Sequence, residues 1–172
     1  MVDTYIDANS LTESTNLINL TNYYTTMSLG TFHVYGQAVS VETPHNKSYY
    51  IPTGETIPNR YLATKEVLQQ KVDPIINFTQ FDNWTYNSDY HQSNQADGTV
   101  DMVIMIWRGM PFGNAWYGIA NLGNGSSFTV ENGTKTIKTY FGGGSGSGVT
   151  SQCNGAKGEK YTFHAAIHEV SH

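Results

Sequence analysis

The feature that most constrains this chain is its last five residues, His168-Glu169-Val170-Ser171-His172, which form an H-E-x-x-H pattern. On an α-helix the two histidines lie one turn apart on the same face, where both imidazoles can bind one zinc ion. Glu169 lies on the neighbouring row, where its carboxylate can take a proton from a zinc-bound water. We therefore expect His168 and His172 to be metal ligands and Glu169 to be the catalytic base of a metallopeptidase.

The residues before this motif have the pattern of a helix. Thr162 offers a hydroxyl N-cap, and four apolar residues recur at i, i+3, i+4 and i+7. These are Phe163, Ala166, Ile167 and Val170. The pattern predicts a buried stripe beside the histidine face, as a zinc-binding helix requires. The alternative interpretation is a core helix that carries surface histidines without a ligand.

A third histidine, His164, lies one turn before His168. A helix rises about 1.5 Å per residue, so His164 and His172 are about 12 Å apart along the axis, whereas zinc to nitrogen distances are about 2.0 to 2.1 Å. His164 is therefore expected to be a packing or supporting residue. Because a catalytic zinc site usually has three protein ligands and one open position, we expect the third ligand beyond His172. The chain is then predicted to be a fragment that is inactive by itself.

Composition argues against several other classes of protein. Charged residues make up 13% of the 172 residues, the formal net charge is −5, and no basic cluster is present, which disfavours nucleic-acid binding. The longest apolar run, 102–107, is far too short to span a bilayer. The single cysteine, Cys153, lies in a predicted polar loop, so an inert thiol is favoured over a nucleophile. The first residues lack the pattern of a signal peptide, which predicts either a cytosolic protein or a missing N-terminus.

Hydrophobic patterning predicts an α+β domain with a mixed sheet against which the motif helix packs. The predicted helices cover 9–24 and 59–72, and the predicted strands cover 31–41, 100–107 and 116–122. Phe32 and Val34 are expected on one strand face, 100–107 is expected to be buried on both faces, and 116–122 is a candidate edge for an extended peptide. Asn132-Gly133 predicts a hairpin turn, and the Gly/Ser run 142–148 predicts a flexible loop.

Four acidic residues near a long polar insertion, 83–98, suggest a calcium site formed by Asp82, Asp89, Asp97 and Asp101. Their spacing does not fit the D-x-[DN]-x-[DN]-G loop, and Asp97-Gly98 is also an ordinary turn signal. Both interpretations, calcium ligands and turn residues, remain open at the level of sequence.

Several stretches form a combined pattern along the chain: Tyr23-Tyr24-Thr25-Thr26-Met27-Ser28-Leu29-Gly30, Phe81-Asp82, Asp97-Gly98-Thr99-Val100-Asp101 with the strand to Gly109, and the H-E-x-x-H helix. In this order they resemble the catalytic domain of immune-inhibitor-A-like secreted metallopeptidases. The resemblance implies a zincin fold, a secreted protein and zinc-dependent endopeptidase activity, with zinc bound by His168 and His172 and with Glu169 as base. The chain departs from the family pattern at two places. Ser171 stands where the family often has Gly, and the insertion separates Asp82 from Asp97, acids that are usually close in the family.

The leading hypothesis is therefore a zinc endopeptidase that acts on protein or peptide substrates. The alternative is a non-enzymatic extracellular binding or adhesion module, for which the low charge, the twelve tyrosines and the Gly/Ser run would be suitable. A third hypothesis, a degenerate peptidase that binds without cutting, is disfavoured by the intact Glu169. The cleavage preference and the oligomeric state are not predicted.

Overall fold

The computed structural model describes residues 20–51, 59–86, 92–107, 121–123, 125–139, 148–153 and 167. Contacts between Cα atoms divide the chain into two compact units, Met1–Ser40 and Val41–His172. The described residues combine α-helices with short paired strands, which confirms the α+β class. No helix among them is long and apolar enough to cross a membrane.

In the first unit, helix α1 spans Leu20–Met27. The predicted helix over 9–24 is confirmed only from Leu20 onward, since 9–19 lie outside the described residues. Helix α1 also continues three residues past the predicted end and then closes at Gly30, whose N–H donates to the Thr25 carbonyl at 2.8 Å. Gly30 has φ +82°, a left-handed conformation that glycine adopts without steric cost.

The prediction of one or two strands over 31–41 is wrong, because these residues form no strand. Backbone groups that a ladder would use are bonded to side chains of α1 and of the turn that follows it. The Thr21 hydroxyl donates to the Val34 carbonyl at 2.6 Å, and the Phe32 N–H donates to Ser28 Oγ at 2.8 Å. Val34 is 7% exposed and Phe32 is 37% exposed, so the two side chains do not share one buried face.

The first helices described in the second unit are α2, Lys47–Tyr50, and α3, Arg60–Val67. Helix α3 continues as a π-helix over Leu68–Val72. The predicted helix over 59–72 is thus confirmed. Its N-cap is Asn59, whose side-chain oxygen accepts from the Leu62 N–H at 3.0 Å. The buried face consists of Ala63, Thr64, Val67, Leu68 and Val72. A 3-10 helix follows at Phe78–Phe81.

The described strands form three two-stranded pairs. Strand β1, Thr85–Tyr86, pairs antiparallel with β2, Gln92–Ser93, inside the insertion. Strand β3, Val103–Trp107, pairs parallel with β6, Gly148–Cys153. Strand β4, Phe128–Val130, pairs antiparallel with β5, Lys135–Ile137, around a 3-10 turn at Glu131–Gly133, which confirms the hairpin predicted from Asn132-Gly133.

Two predictions about strands need correction. Strand β3 exists but is not buried on both faces, since only Trp107 is buried and the other four residues are partly exposed. In the part of the chain that the structure describes, β3 pairs only with β6. Cys153 does not lie in a loop, because it ends strand β6 opposite Trp107. The predicted strand 116–122 lies outside the described residues up to position 120, as does the run 142–147.

The β4–β5 hairpin packs beside the α3 region. Phe128, Val130 and Ile137 are buried, and the Gln69 side chain donates to the Thr129 carbonyl at 2.8 Å. The N–H of Glu131, at the turn of this hairpin, donates to Asp73 Oδ1 at 2.9 Å. These contacts fix the position of β5 in the second unit.

Candidate functional site

The predicted zinc site falls almost entirely outside the described residues. Within the last ten residues only Ile167 is described, with α-helical backbone. His164, His168, Glu169 and His172 lie outside, so the metal ligands and the catalytic base stay predictions. Among the described residues, the side chains with most chemical interest lie at the two ends of the insertion 83–98.

Asp82 lies directly after the 3-10 helix and is 3% exposed. Its Oδ1 accepts from the Asp97 N–H at 2.9 Å, and its Oδ2 accepts from the Gly98 N–H at 3.0 Å. The Lys135 ammonium group also donates to Oδ2 and forms an ion pair with this carboxylate. Burial acts to raise the pKa of Asp82, but the hydrogen bonds from Lys135, Asp97 and Gly98 and the charge of Lys135 bring the pKa below its ordinary value.

Asp101 makes the corresponding contacts at the start of the insertion. Its Oδ2 accepts from the Asn83 N–H at 2.9 Å, its Oδ1 accepts from the Trp84 N–H at 3.2 Å, and its own N–H donates to the Phe81 carbonyl at 2.7 Å. Burial raises the pKa of Asp101, the bonds from Asn83 and Trp84 lower it, and the charges of Asp82 and Asp97 add to the rise, so that the net direction is upward.

The two carboxylates therefore bind opposite ends of the insertion. Asp101 holds residues 83 and 84, where the chain enters it, and Asp82 holds residues 97 and 98, where the chain leaves it. We call Asp82, Asp97, Asp101 and Lys135 the insertion base. Backbone bonds from Thr136 N to Gly98 O, at 2.7 Å, and from Val100 N to Thr136 O, at 2.9 Å, hold β5 beside it.

The insertion base does not fit a calcium site. Calcium takes six to eight oxygen ligands, whereas the carboxylate oxygens of Asp82 and Asp101 all accept hydrogen bonds from N–H groups or from an ammonium group. No group of three His, Cys, Asp or Glu side chains in the described ranges could hold a metal ion. Asp89, the fourth residue of the calcium hypothesis, lies outside the described residues.

Sequence reasoning did not identify Lys135 as a partner of this cluster. It lies 53 positions from Asp82 on a separate hairpin, and no local pattern connects the two residues. The alternative interpretation of Asp97-Gly98, an ordinary turn, agrees with the structure: Gly98 has φ +83°, and Asp97 Oδ1 accepts from the Thr99 N–H at 2.8 Å.

A second cluster of titratable side chains joins α2 to α3. Tyr50, only 1% exposed, donates its hydroxyl to Glu66 Oε2 at 2.8 Å. Burial, followed by the hydrogen bond to Glu66 and its charge, raises the pKa of Tyr50 to about 12. The His45 ring packs on Tyr49 with centroids 4.0 Å apart, and His45 Nε2 lies 3.9 Å from Glu66 Oε2. This arrangement is a packing contact between α2 and α3, in which the Tyr50 hydroxyl donates a hydrogen bond to the Glu66 carboxylate.

One comparison with known proteins identifies relatives of this chain. The family described as immune inhibitor A peptidase M6, catalytic domain, matches residues 3–144. The matched range includes both units' described helices and the whole insertion base, and it ends before His168. Neither the curated proteins nor the solved structures contain a match.

Proposed function

The chain belongs to the immune inhibitor A peptidase M6 family, and on this premise we propose that it is a zinc-dependent endopeptidase whose metal is bound by His168 and His172. Membership makes the protein a metallopeptidase in the general sense, with proteins as its substrates. The observation that carries the finer proposal is the order along the chain. Residues 3–144 match a peptidase catalytic domain, and the only H-E-x-x-H sequence follows at 168–172.

Each motif residue has a role that follows from its chemistry. His168 and His172 present neutral imidazole nitrogens, which are zinc ligands. Bound zinc supplies a Lewis acid at the scissile carbonyl. Glu169 accepts a proton from the attacking water and returns it to the leaving amine, so that peptide-bond cleavage leaves a carboxylate and an amine. Because three protein ligands are usual at such a centre, a third ligand is proposed elsewhere in the full-length protein.

The same family membership supports three further parts of the proposal. The fold is a zincin fold in which the strands pack against the helices and the H-E-x-x-H segment forms one of those helices. Residues 1–172 belong to one peptidase catalytic domain. The protein acts outside the cell on extracellular protein substrates, and its low content of charged residues is compatible with that location.

The test of the zinc site uses the full-length gene product and measures bound zinc per protein molecule by atomic absorption. His168→Gln and His172→Gln are each expected to lose the metal. His164→Gln is the matched control, because it removes a histidine from the same predicted helix and is expected to keep the metal. Equal zinc content in all three variants would contradict the assignment and favour the adhesion module.

The test of the catalytic base uses Glu169→Gln. We expect this variant to bind zinc as the wild type does, while kcat/KM for a protein substrate falls by about 10²- to 10⁴-fold, because the attacking water loses its proton acceptor. Full activity in Glu169→Gln, or in protein from which zinc has been removed, would overturn the proposed mechanism.

A further inference from the structure

The insertion base brings three carboxylates together, of which Asp82 is buried, Asp101 is partly exposed and Asp97 is exposed. Three carboxylates, those of Asp82, Asp97 and Asp101, lie close enough that the charges of Asp82 and Asp97 oppose ionisation of Asp101. Asp82 is 3% exposed, and a buried carboxylate is costly unless it is paired and hydrogen-bonded. A secreted protein could balance such a cluster with calcium or with a side chain of its own.

The contacts at the carboxylates distinguish these two possibilities. Both oxygens of Asp82 and both oxygens of Asp101 face N–H hydrogens, whose positive ends repel a cation. The Lys135 ammonium group lies on Asp82 Oδ2, with its side chain 13% exposed. A calcium ion bound at these oxygens would have to displace the ammonium group and several backbone hydrogen bonds.

We propose that Lys135 is the built-in counter-cation of the insertion base, so that the insertion is anchored without calcium. The backbone position of Lys135 is set by the contacts of β5 beside the insertion base. The N–H of its neighbour Thr136 donates to Gly98 O at the end of the insertion, and Thr136 O accepts from the Val100 N–H just after it, so the register of β5 brings Lys135 near Asp82. This inference concerns residues 82–136 and does not rest on the proposed zinc site.

The first experiment measures amide hydrogen exchange by mass spectrometry in peptides covering 81–86 and 95–101 of the full-length wild-type protein. Exchange of the N–H groups of Asn83, Trp84, Asp97 and Gly98 reports the hydrogen bonds of the base directly. Exchange is compared in calcium-depleted buffer and with about 5 mM calcium, which exceeds the dissociation constants of weak extracellular sites. Zinc is kept at the same concentration in both buffers.

The rates are expected to agree within error in the two buffers. Slower exchange with calcium in these peptides would overturn the proposal, because a ligand that binds the folded base suppresses its opening. This comparison needs no variant, so it decides the question even if substitutions in the base prevent folding.

The second experiment removes the cation. Lys135→Met keeps the aliphatic stem but leaves the buried Asp82 charge without its partner, and exchange in the two peptides is expected to be at least about tenfold faster. Lys71→Met, at an exposed lysine of the π-helix, is the matched control and is expected to exchange at the wild-type rate. Lys135→Arg keeps the positive charge and is expected to exchange more slowly than Lys135→Met. Exchange in Lys135→Met at the wild-type rate would overturn the proposal.

Discussion

At the scale of single residues, the hydroxyl of Tyr50 connects α2 to α3 through Glu66. The hydroxyl to carboxylate distance is 2.8 Å, and the ring is 1% exposed. Burial, aided by the Glu66 carboxylate, raises the pKa of Tyr50 from 10.0 to about 12. Because the folded protein holds the phenolic proton more tightly than the unfolded chain, this contribution to stability is present below pH 10 and is lost as the pH rises through 12.

Tyr50→Phe is therefore expected to lower the free energy of unfolding at pH 7 by about 1 to 2 kcal/mol, since the Glu66 carboxylate loses a donor. The variant should also lose less stability than the wild type between pH 10 and pH 12. Urea denaturation at several pH values measures both effects. Tyr49→Phe is the control, because the Tyr49 hydroxyl is 3.5 Å from Glu66 and its side chain is 47% exposed. An equal loss in the two variants would contradict the role assigned to Tyr50.

Gly123 is a position where a single methyl group is expected to matter. It has φ +120°, and a Cβ built there would overlap the backbone of Tyr61 at the start of α3. Gly123→Ala should cost about 3 kcal/mol, from backbone strain together with the clash. Gly133→Ala is the comparison, since Gly133 has φ +89° with nothing within 4 Å of the added Cβ, and it should cost about 1 to 2 kcal/mol. Thermal melts of both variants test this order.

At the scale of elements, the start of α3 depends on its cap. The Asn59 side chain accepts the Leu62 N–H at 3.0 Å and satisfies one of the donors that a helix leaves free at its N-terminus. Asn59→Ala should lower the free energy of unfolding by about 1 kcal/mol, whereas Asn59→Asp, which keeps an acceptor, should preserve it. Urea midpoints provide the measurement, and a loss of equal size in Asn59→Asp would indicate a role other than capping.

Elements with local signals could be predicted from the sequence, and elements fixed by distant partners could not. The cap at Asn59 and the break at Asp73-Pro74 delimit α3 and its π-helical extension, and Asn132-Gly133 marks the β4–β5 turn. The stretch 31–41 has a strand-like pattern, but its backbone groups bond to Thr21 and Ser28. Strand β6 was missed because a short polar segment after a Gly/Ser run becomes a strand only by pairing with β3.

The candidate site follows the same rule. The H-E-x-x-H motif is local, and it could be identified with all its residues from sequence. The acids of the insertion base were also identified, but their function was not, because it depends on Lys135 on another hairpin. Charge complementarity between segments that are far apart in sequence has no periodic signal.

At the scale of the whole molecule, the insertion base gives the second unit a defined response to acid. The pKa of Asp82 lies below its ordinary value because the Lys135, Asp97 and Gly98 donors outweigh burial. The unfolded chain therefore binds this proton more tightly than the folded one. The stability from Asp82 is present above the ordinary value of about 3.9 and is lost as the pH falls through the lowered pKa of the folded protein.

Asp82→Asn is expected to be less stable than the wild type at pH 7 and to lose less further stability as the pH falls below about 4. Asp101→Asn should behave in the opposite way on acidification. The pKa of Asp101 is raised in the folded protein, so its contribution to stability is present at low pH and is lost as the pH rises through that pKa. The wild type gains this contribution on acidification and Asp101→Asn does not, so the free energy of unfolding of the variant should fall more steeply in acid. Urea denaturation from pH 7 to pH 2 measures both slopes. Parallel profiles for the two variants would contradict the assigned directions.

Residues 83 and 84 are bound by Asp101, and residues 97 and 98 are bound by Asp82. This arrangement affects how the fold can vary. The two stems of the insertion are fastened to the body independently of what lies between them. Segments of different length and sequence can therefore be grafted between the stems, and the peptidase scaffold can acquire new surface loops there while its helices and strands stay in register.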